Sequence, residues 1–336
     1  MEIPVIDIAA HDAPASIDRA CRTTGFFAVS GHGIESSTRL AVIDAARRFF
    51  ALDRATKERV ALAVGGTAWR GWFPLGDELT SGVPDLKEGF YVGRELPRAR
   101  ADVALHGPNL WPAEVPELQH AVSAWMSAME LLGQRVLAAM ATGLGLEPTW
   151  FDDGLTADPT VLFRIFRYPP HPSVGELADA EHRWGVAEHT DYGLLTLLAH
   201  DGTPGLEVNV RGTWIEVDPN PDLVICNLGD MLDRLTLGRY RSTPHRVRNT
   251  ATHDRISLPF FLDPSWDAVV RPLPLDDGWV VPTERSDRWD RADLSSVDGP
   301  YGDWLVAKVS RVFPQLAEAV LGDGSTADGS SGGASA

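Results

Sequence analysis

Between Val161 and Leu262 the sequence falls into short runs of β-branched, aromatic and leucine residues separated by turn residues. The runs are VLFRIFRY (161–168), LLTLLAH (194–200), GLEVNV (205–210), TWIEV (213–217), DLVICNL (222–228), HRVRN (245–249) and RISLPFFL (255–262). Asp201-Gly202, Arg211-Gly212 and Pro219 to Pro221 supply breaks. Strands this short, recurring at about ten-residue spacing, read as a sandwich, jelly roll or barrel, because each has to bury a face against a second layer. No helical pattern alternates with them, which excludes a βαβ fold.

Ahead of this region the periodicity is helical. From Pro116 to Leu144, the residues Leu118, Val122, Trp125, Met129, Leu132, Val136 and Met140 step by three or four, and Gly143 and Gly145 supply an end. One apolar stripe of that length predicts a long helix laid against a sheet. A shorter helix is expected after Ser36 and Ser37, through Leu40, Ile43, Phe49 and Phe50, and a last one over Tyr301 to Phe313. The predicted class is α+β, a β core with flanking helices, mainly N-terminal. The chain divides into a mostly helical region 1–112, a β-rich region with its supporting helix over 113–321 packed with the first as one unit, and a tail 322–336. The tail, GDGSTADGSSGGASA, has too few apolar groups to offset the entropy of ordering and is expected to be disordered.

Charge and cysteine content narrow the class of partner. Across 336 residues, 30 basic side chains against 47 acidic ones give a net charge of -17. That balance argues against nucleic acid or an anionic membrane surface. Two cysteines, Cys21 and Cys226, make no disulfide framework for a chain of this length. No apolar run reaches the ~18 residues of a membrane span. Met1 to Ala10 carries Glu2 and Asp7 and lacks the basic-then-apolar order of a signal peptide, so a cytoplasmic protein is expected.

Within the β region stands His189-Thr190-Asp191. The triplet alone is weak, since ten histidines and 30 aspartates among 336 residues produce about one by chance. On a strand, however, residues i and i+2 share a face, so His189 and Asp191 would converge on one ion. His245, at the head of another candidate strand, would complete two imidazoles and a carboxylate, the facial set associated with non-haem Fe(II) oxygenases. Ten positions on, Arg255 and Ser257 again share a strand face and form a fork for a carboxylate. The ordered set carries the argument.

The chain resembles the isopenicillin N synthase-like family of Fe(II)/2-oxoglutarate-dependent dioxygenases. PVIDI (4–8) and GFFAVSGHGI (25–34) look like that family's N-terminal region. RYPP (167–170), GVAEHTDYGLLTLL (185–198), NLGDML (227–232), RYRSTPHRV (239–247) and RISLPFF (255–261) look like its catalytic half. The resemblance implies a double-stranded β-helix, or jelly-roll, core. It implies that His189, Asp191 and His245 ligate iron, and that Arg255, Ser257 and Tyr168 bind the distal carboxylate of 2-oxoglutarate. Many plant members have Asn two residues before that Tyr, where this chain has Phe166, which removes any cosubstrate contact from that position. In relatives the stretch DLKEGFYVGRE (85–95) lies near the mouth of the active site, which makes Phe90, Tyr91 and Arg94 candidate substrate contacts.

The activity implied is oxidation of an unactivated C–H bond of a small organic substrate, with 2-oxoglutarate and O2 converted to succinate and CO2. Two other readings share the motifs: an oxidase like isopenicillin N synthase, in which Arg255 and Ser257 hold a substrate carboxylate, and a jelly-roll binding protein without turnover.

Overall fold

The computed structural model describes residues 2–80, 82–96, 103–170, 184–275, 278 and 299–321. An eight-stranded sheet runs, in spatial order, Val5–Asp7, Phe26–Ser30, Val224–Leu228, Leu195–His200, Arg255–Ser265, Pro159–Tyr168, Glu88–Gly93 and Gly71–Phe73. A four-stranded antiparallel sheet runs Thr213–Glu216, Leu206–Val210, His245–Val247 and Val186–His189. The larger sheet is antiparallel except for the pair formed by its first two strands. The two sheets face each other across a cavity of about 160 Å³, to which both contribute side chains. This is a jelly-roll core in an α+β fold, as expected.

Strand alternation decides what faces that cavity. Along Arg255–Ser265, the residues Arg255, Ser257, Pro259, Phe261 and Asp263 line it, while Ile256, Leu258, Phe260 and Leu262 lie buried on the other side. The outer face is covered by the helix Glu117–Gly143, whose predicted stripe from Leu118 to Met140 is buried throughout. Gly133 is where that helix touches the sheet: a Cβ there would lie 2.7 Å from Leu262 Cδ2. The helix ends as its sequence requires. Gly145 takes φ +79°, and the N–H of Leu146 reaches back to Ala141 O at 2.9 Å.

Every strand expected beyond Val161 is present. Besides Val5–Asp7, three strands of the larger sheet, Phe26–Ser30, Gly71–Phe73 and Glu88–Gly93, come from the region expected to be mostly helical. They are buried on both faces and so carry no polar–apolar alternation. The C-terminal helix is two helices, Tyr301–Val312 and Pro314–Leu321. Phe313 leaves helical geometry immediately before Pro314 (φ -134°, ψ 66°). The tail 322–336 lies outside the described residues. Among the described residues no helix is long and apolar enough to cross a membrane, and Cys21 and Cys226 are both buried thiols.

Candidate metal centre and active-site cavity

His189 is the last paired residue of its strand, and Asp191 lies two residues on, ahead of a bend at 192–194. Both side chains reach the cavity wall, as their i, i+2 spacing leads one to expect. Past the end of the ladder this segment is held by contacts from distant segments. Asp191 O accepts the N–H of Asp230 at 2.8 Å, and Gly193 O accepts that of Met231 at 3.0 Å. Leu194 N–H donates to Asp263 Oδ1 at 2.8 Å. Gly193 is packed so closely that a Cβ would stand 1.6 Å from that same oxygen.

His245 reaches the site by register: it pairs directly with His189 across the smaller sheet, bringing the two rings to 4.2 Å. Asp191 Oδ1 is 3.8 Å from Nε2 of both histidines. Its other oxygen, Oδ2, accepts from Thr196 Oγ1 at 2.5 Å and Asn227 Nδ2 at 2.6 Å. Each imidazole is oriented through Nδ1, His189 on Ala187 O at 2.8 Å and His245 on Thr243 O at 3.2 Å. Those bonds fix the tautomer with Nδ1–H donating and leave Nε2 as a lone pair facing Asp191 Oδ1.

Electrostatics match a cation site. Burial lowers the pKa of His189, and burial with the neighbouring imidazole brings His245 down to about 4, so both rings are neutral donors at neutral pH. Burial opposes ionisation of Asp191, but the two imidazoles and the bonds from Thr196 and Asn227 outweigh it and lower its pKa. Two neutral nitrogens and one anionic oxygen, within 4.8 Å of one another, form a donor set suited to Fe(II).

Beside this cluster lies an anion fork. Arg255 pairs with Tyr168 in the strand register, and Ser257 Oγ is 3.3 Å from the Tyr168 hydroxyl. Arg255 is 1% exposed; its Nε donates to Thr203 O at 3.2 Å, while Nη1 has no hydrogen-bond partner among the described residues. Burial pulls the guanidinium pKa down. A buried cation with an unmet donor, on the wall of the same cavity, fits a dianion such as 2-oxoglutarate.

The three residues expected at the cavity mouth separate. Tyr91 lines the cavity, its hydroxyl 2.6 Å from Glu78 Oε1. Phe90, one position along the strand, points the other way and packs edge-on against Phe49 at 4.9 Å. Arg94 is drawn outward to Asp158 at 2.6 Å and Glu130 at 2.9 Å. Sequence reasoning passed over Glu78, Lys87, Thr196 and Asn227, all of which line the cavity. The only signal for Lys87 is a lysine among acidic residues in an otherwise apolar strand entry, DLKEGF.

Residues 3–114 match the family described as non-haem dioxygenase in morphine synthesis N-terminal, and residues 159–264 match the 2OG-Fe(II) oxygenase superfamily. The chain is 36% identical to a Dictyostelium discoideum protein named as a probable iron/ascorbate oxidoreductase, across 95% of this chain and 97% of that protein. It is 35% identical to a 2-oxoglutarate-dependent dioxygenase of Monascus ruber, across 88% and 92%. The chain belongs to the 2OG-Fe(II) oxygenase superfamily. A solved structure of a full-length Neurospora crassa protein in complex with alpha-KG superposes on this oxygenase with a TM-score of 0.75 and 25% identity, across 92% of this chain and 96% of that one. The oxygenase is thus an Fe(II)- and 2-oxoglutarate-dependent enzyme that takes O2 and a small-molecule substrate.

Proposed function

We propose that His189, Asp191 and His245 hold the iron, and that Arg255, Ser257 and Tyr168 hold the distal carboxylate of 2-oxoglutarate. The observation that carries this reading is the convergence of two unprotonated Nε2 atoms and Asp191 Oδ1 on one cavity wall, with the unpaired Arg255 Nη1 on the next. When bound, iron with 2-oxoglutarate and O2 supplies the oxidising power for an unactivated C–H bond, yielding succinate and CO2. The chain supplies placement. Thr196 and Asn227 take up one oxygen of Asp191, leaving the other for the metal. Ala187 O and Thr243 O hold the rings in the tautomer that presents Nε2. The Arg255 fork fixes one end of the cosubstrate, so its oxo-acid end is directed toward the metal. The apolar wall, including Phe26, Leu162, Phe261 and Leu305, excludes water from the reacting carbon.

Regions 1–112 and 113–321 act as one unit in this reading, because strands of the first complete the larger sheet of the second. A cytoplasmic location accords with two buried free thiols, and an acidic chain accords with no nucleic-acid partner. The test is iron retention and 2-oxoglutarate binding by the purified protein under anaerobic conditions, compared with variants of each named residue. Stoichiometric Fe(II) in a variant lacking all three ligands would sink the assignment.

A further inference from the structure

A second group of charged side chains lines the cavity and is used by neither the iron nor the cosubstrate. Lys87 is 2% exposed. Its Nζ lies 3.0 Å from Glu78 Oε2 and donates to Asp85 Oδ2. Asp85 Oδ2 also accepts from Thr80 Oγ1 at 2.8 Å, and Glu78 Oε1 accepts from the Tyr91 hydroxyl. The ammonium stands 4.8 Å from the centre of the Phe166 ring, the ring that fills the position where many plant relatives carry Asn. An ammonium has three N–H donors. Asp85 takes one of them, Glu78 Oε2 pairs with the ammonium by charge without a hydrogen bond, and no acceptor among the described residues takes a further N–H. A buried ion cluster of this kind stabilises a fold no better than apolar side chains of the same volume. Its place on the wall of the reaction cavity therefore calls for a role in recognition.

The sign of the charges limits what can be recognised. Among the described residues, the charged side chains of the cavity wall are Glu78, Lys87, Arg164, Asp191, Arg255 and Asp263. The proposed function assigns Asp191 to iron and Arg255 to 2-oxoglutarate. Lys87 is matched by Glu78 and Asp85. Arg164 lies 3.5 Å over the Tyr91 ring and feels the fields of Tyr91, Glu78 and Asp263. Asp263 accepts from Leu194 N–H and from the Tyr301 hydroxyl at 2.7 Å. Three carboxylates, Glu78, Asp85 and Asp263, thus stand with two cations, Lys87 and Arg164, so both signs face any group that enters. An anion at this wall would meet Glu78, with Asp85 behind it, and a cation would meet Lys87 and Arg164.

We infer that Lys87 anchors the substrate, an N–H that no described residue accepts donating to a carbonyl, ether or hydroxyl oxygen of a predominantly apolar molecule that is uncharged where it approaches the iron. The inference builds on the proposed placement of iron and 2-oxoglutarate and names the substrate class for that site. Glu78 and Asp85 hold the ammonium in place, and Phe166 provides the apolar floor beside it.

Three probes with one aromatic ring and different head groups test the idea: acetophenone (neutral acceptor), benzoate (anion) and benzylammonium (cation). Each is dialysed to equilibrium at pH 7.5 against the protein saturated with Fe(II) and labelled 2-oxoglutarate, without oxygen. Acetophenone is expected to be retained about tenfold more tightly than either ion, the effect of one hydrogen bond from a charged donor. The variant Lys87→Met/Asp85→Asn, which removes the cation without leaving two carboxylates facing each other, should lose about tenfold in acetophenone affinity and keep its 2-oxoglutarate. Lys87→Arg should keep part of the preference. Tighter binding of benzoate or benzylammonium, no retention of any probe, or an unchanged preference in the double variant would overturn the inference. So would loss of 2-oxoglutarate from that variant, which would place Lys87 in the cosubstrate site. Failure of the wild-type protein to retain 2-oxoglutarate would overturn the proposed function and this inference with it. The wild-type preference is a test that needs no variant to fold.

Discussion

Replacing Arg255 with Met separates a binding role from a structural one. The guanidinium is 1% exposed, makes a bond through Nε to Thr203 O, and leaves Nη1 unpaired. Removing it gives up one backbone contact but also removes a buried charge that has no ion partner within hydrogen-bond distance among the described residues. The two effects oppose, so stability without ligand should change by no more than about 1 kcal/mol. Binding should change far more. A charge-assisted, bidentate contact is worth roughly 1.5–3 kcal/mol, so the Kd for 2-oxoglutarate should rise about 10- to 150-fold. The assay is thermal unfolding of the Fe(II)-loaded protein, without oxygen, across a 2-oxoglutarate series. At a ligand concentration of about 100 times the wild-type Kd, linkage stabilises the wild-type protein by about 2.7 kcal/mol; after a 100-fold loss of affinity the same concentration stabilises by only about 0.4 kcal/mol. Arg255→Lys should fall between, because a point charge replaces a planar fork. A Met variant that unfolds several kcal/mol more easily without ligand, yet gains the full increment with it, would refute the reasoning and make Arg255 a structural residue.

Single changes of His189, Asp191 or His245 to Ala should each abolish retention of Fe(II) through gel filtration, measured by metal analysis, with Asp191→Ala the most severe because it removes the anionic ligand. Treatment with a chelator should stop succinate formation, and Fe(II) but not Zn(II) should restore it, since zinc has no redox chemistry; restoration by zinc would contradict the iron assignment. Gly193→Ala places a methyl 1.6 Å from Asp263 Oδ1 in the bend that follows Asp191, and should cost about 1–3 kcal/mol in chemical denaturation together with weaker iron binding. Arg94→Gln should leave 2-oxoglutarate affinity unchanged and lower stability by less than about 1 kcal/mol, because Arg94 is 41% and Asp158 86% exposed.

The larger sheet was readable where one of its faces is polar or where turn residues mark the ends of its strands, and obscure where neither holds. RISLPFFL and VLFRIFRY announce themselves because Arg255, Ser257 and Arg164 alternate with apolar neighbours. FFAVS at Phe26–Ser30 is buried nearly throughout, and a run of that kind has no period to distinguish strand from helix. The long helix is the opposite case. Its stripe holds for nearly the whole of Glu117–Gly143, and only the local break at Gly133, where the helix meets Leu262, has no counterpart in the apolar pattern.

The site was legible as a set of residue types in order, but the i, i+2 spacing of His189 and Asp191 accounts for only part of its geometry. The strand ladder ends at His189, and the spacing alone does not hold the segment beyond it. That segment is held by Asp230 and Met231 N–H donors on its carbonyls, by Thr196 and Asn227 on the Asp191 carboxylate, and by Asp263 beneath Leu194. Those groups come from the two neighbouring central strands, the helix beginning at Asp230 and the far end of Arg255–Ser265. A spacing rule acts along one segment and is blind to such contacts. The same limit explains why Tyr91, Phe90 and Arg94 looked alike in sequence. Only the pairing of Tyr91 with Arg164 on the neighbouring strand determines which of the three faces the cavity, and that register is set by residues more than seventy positions away.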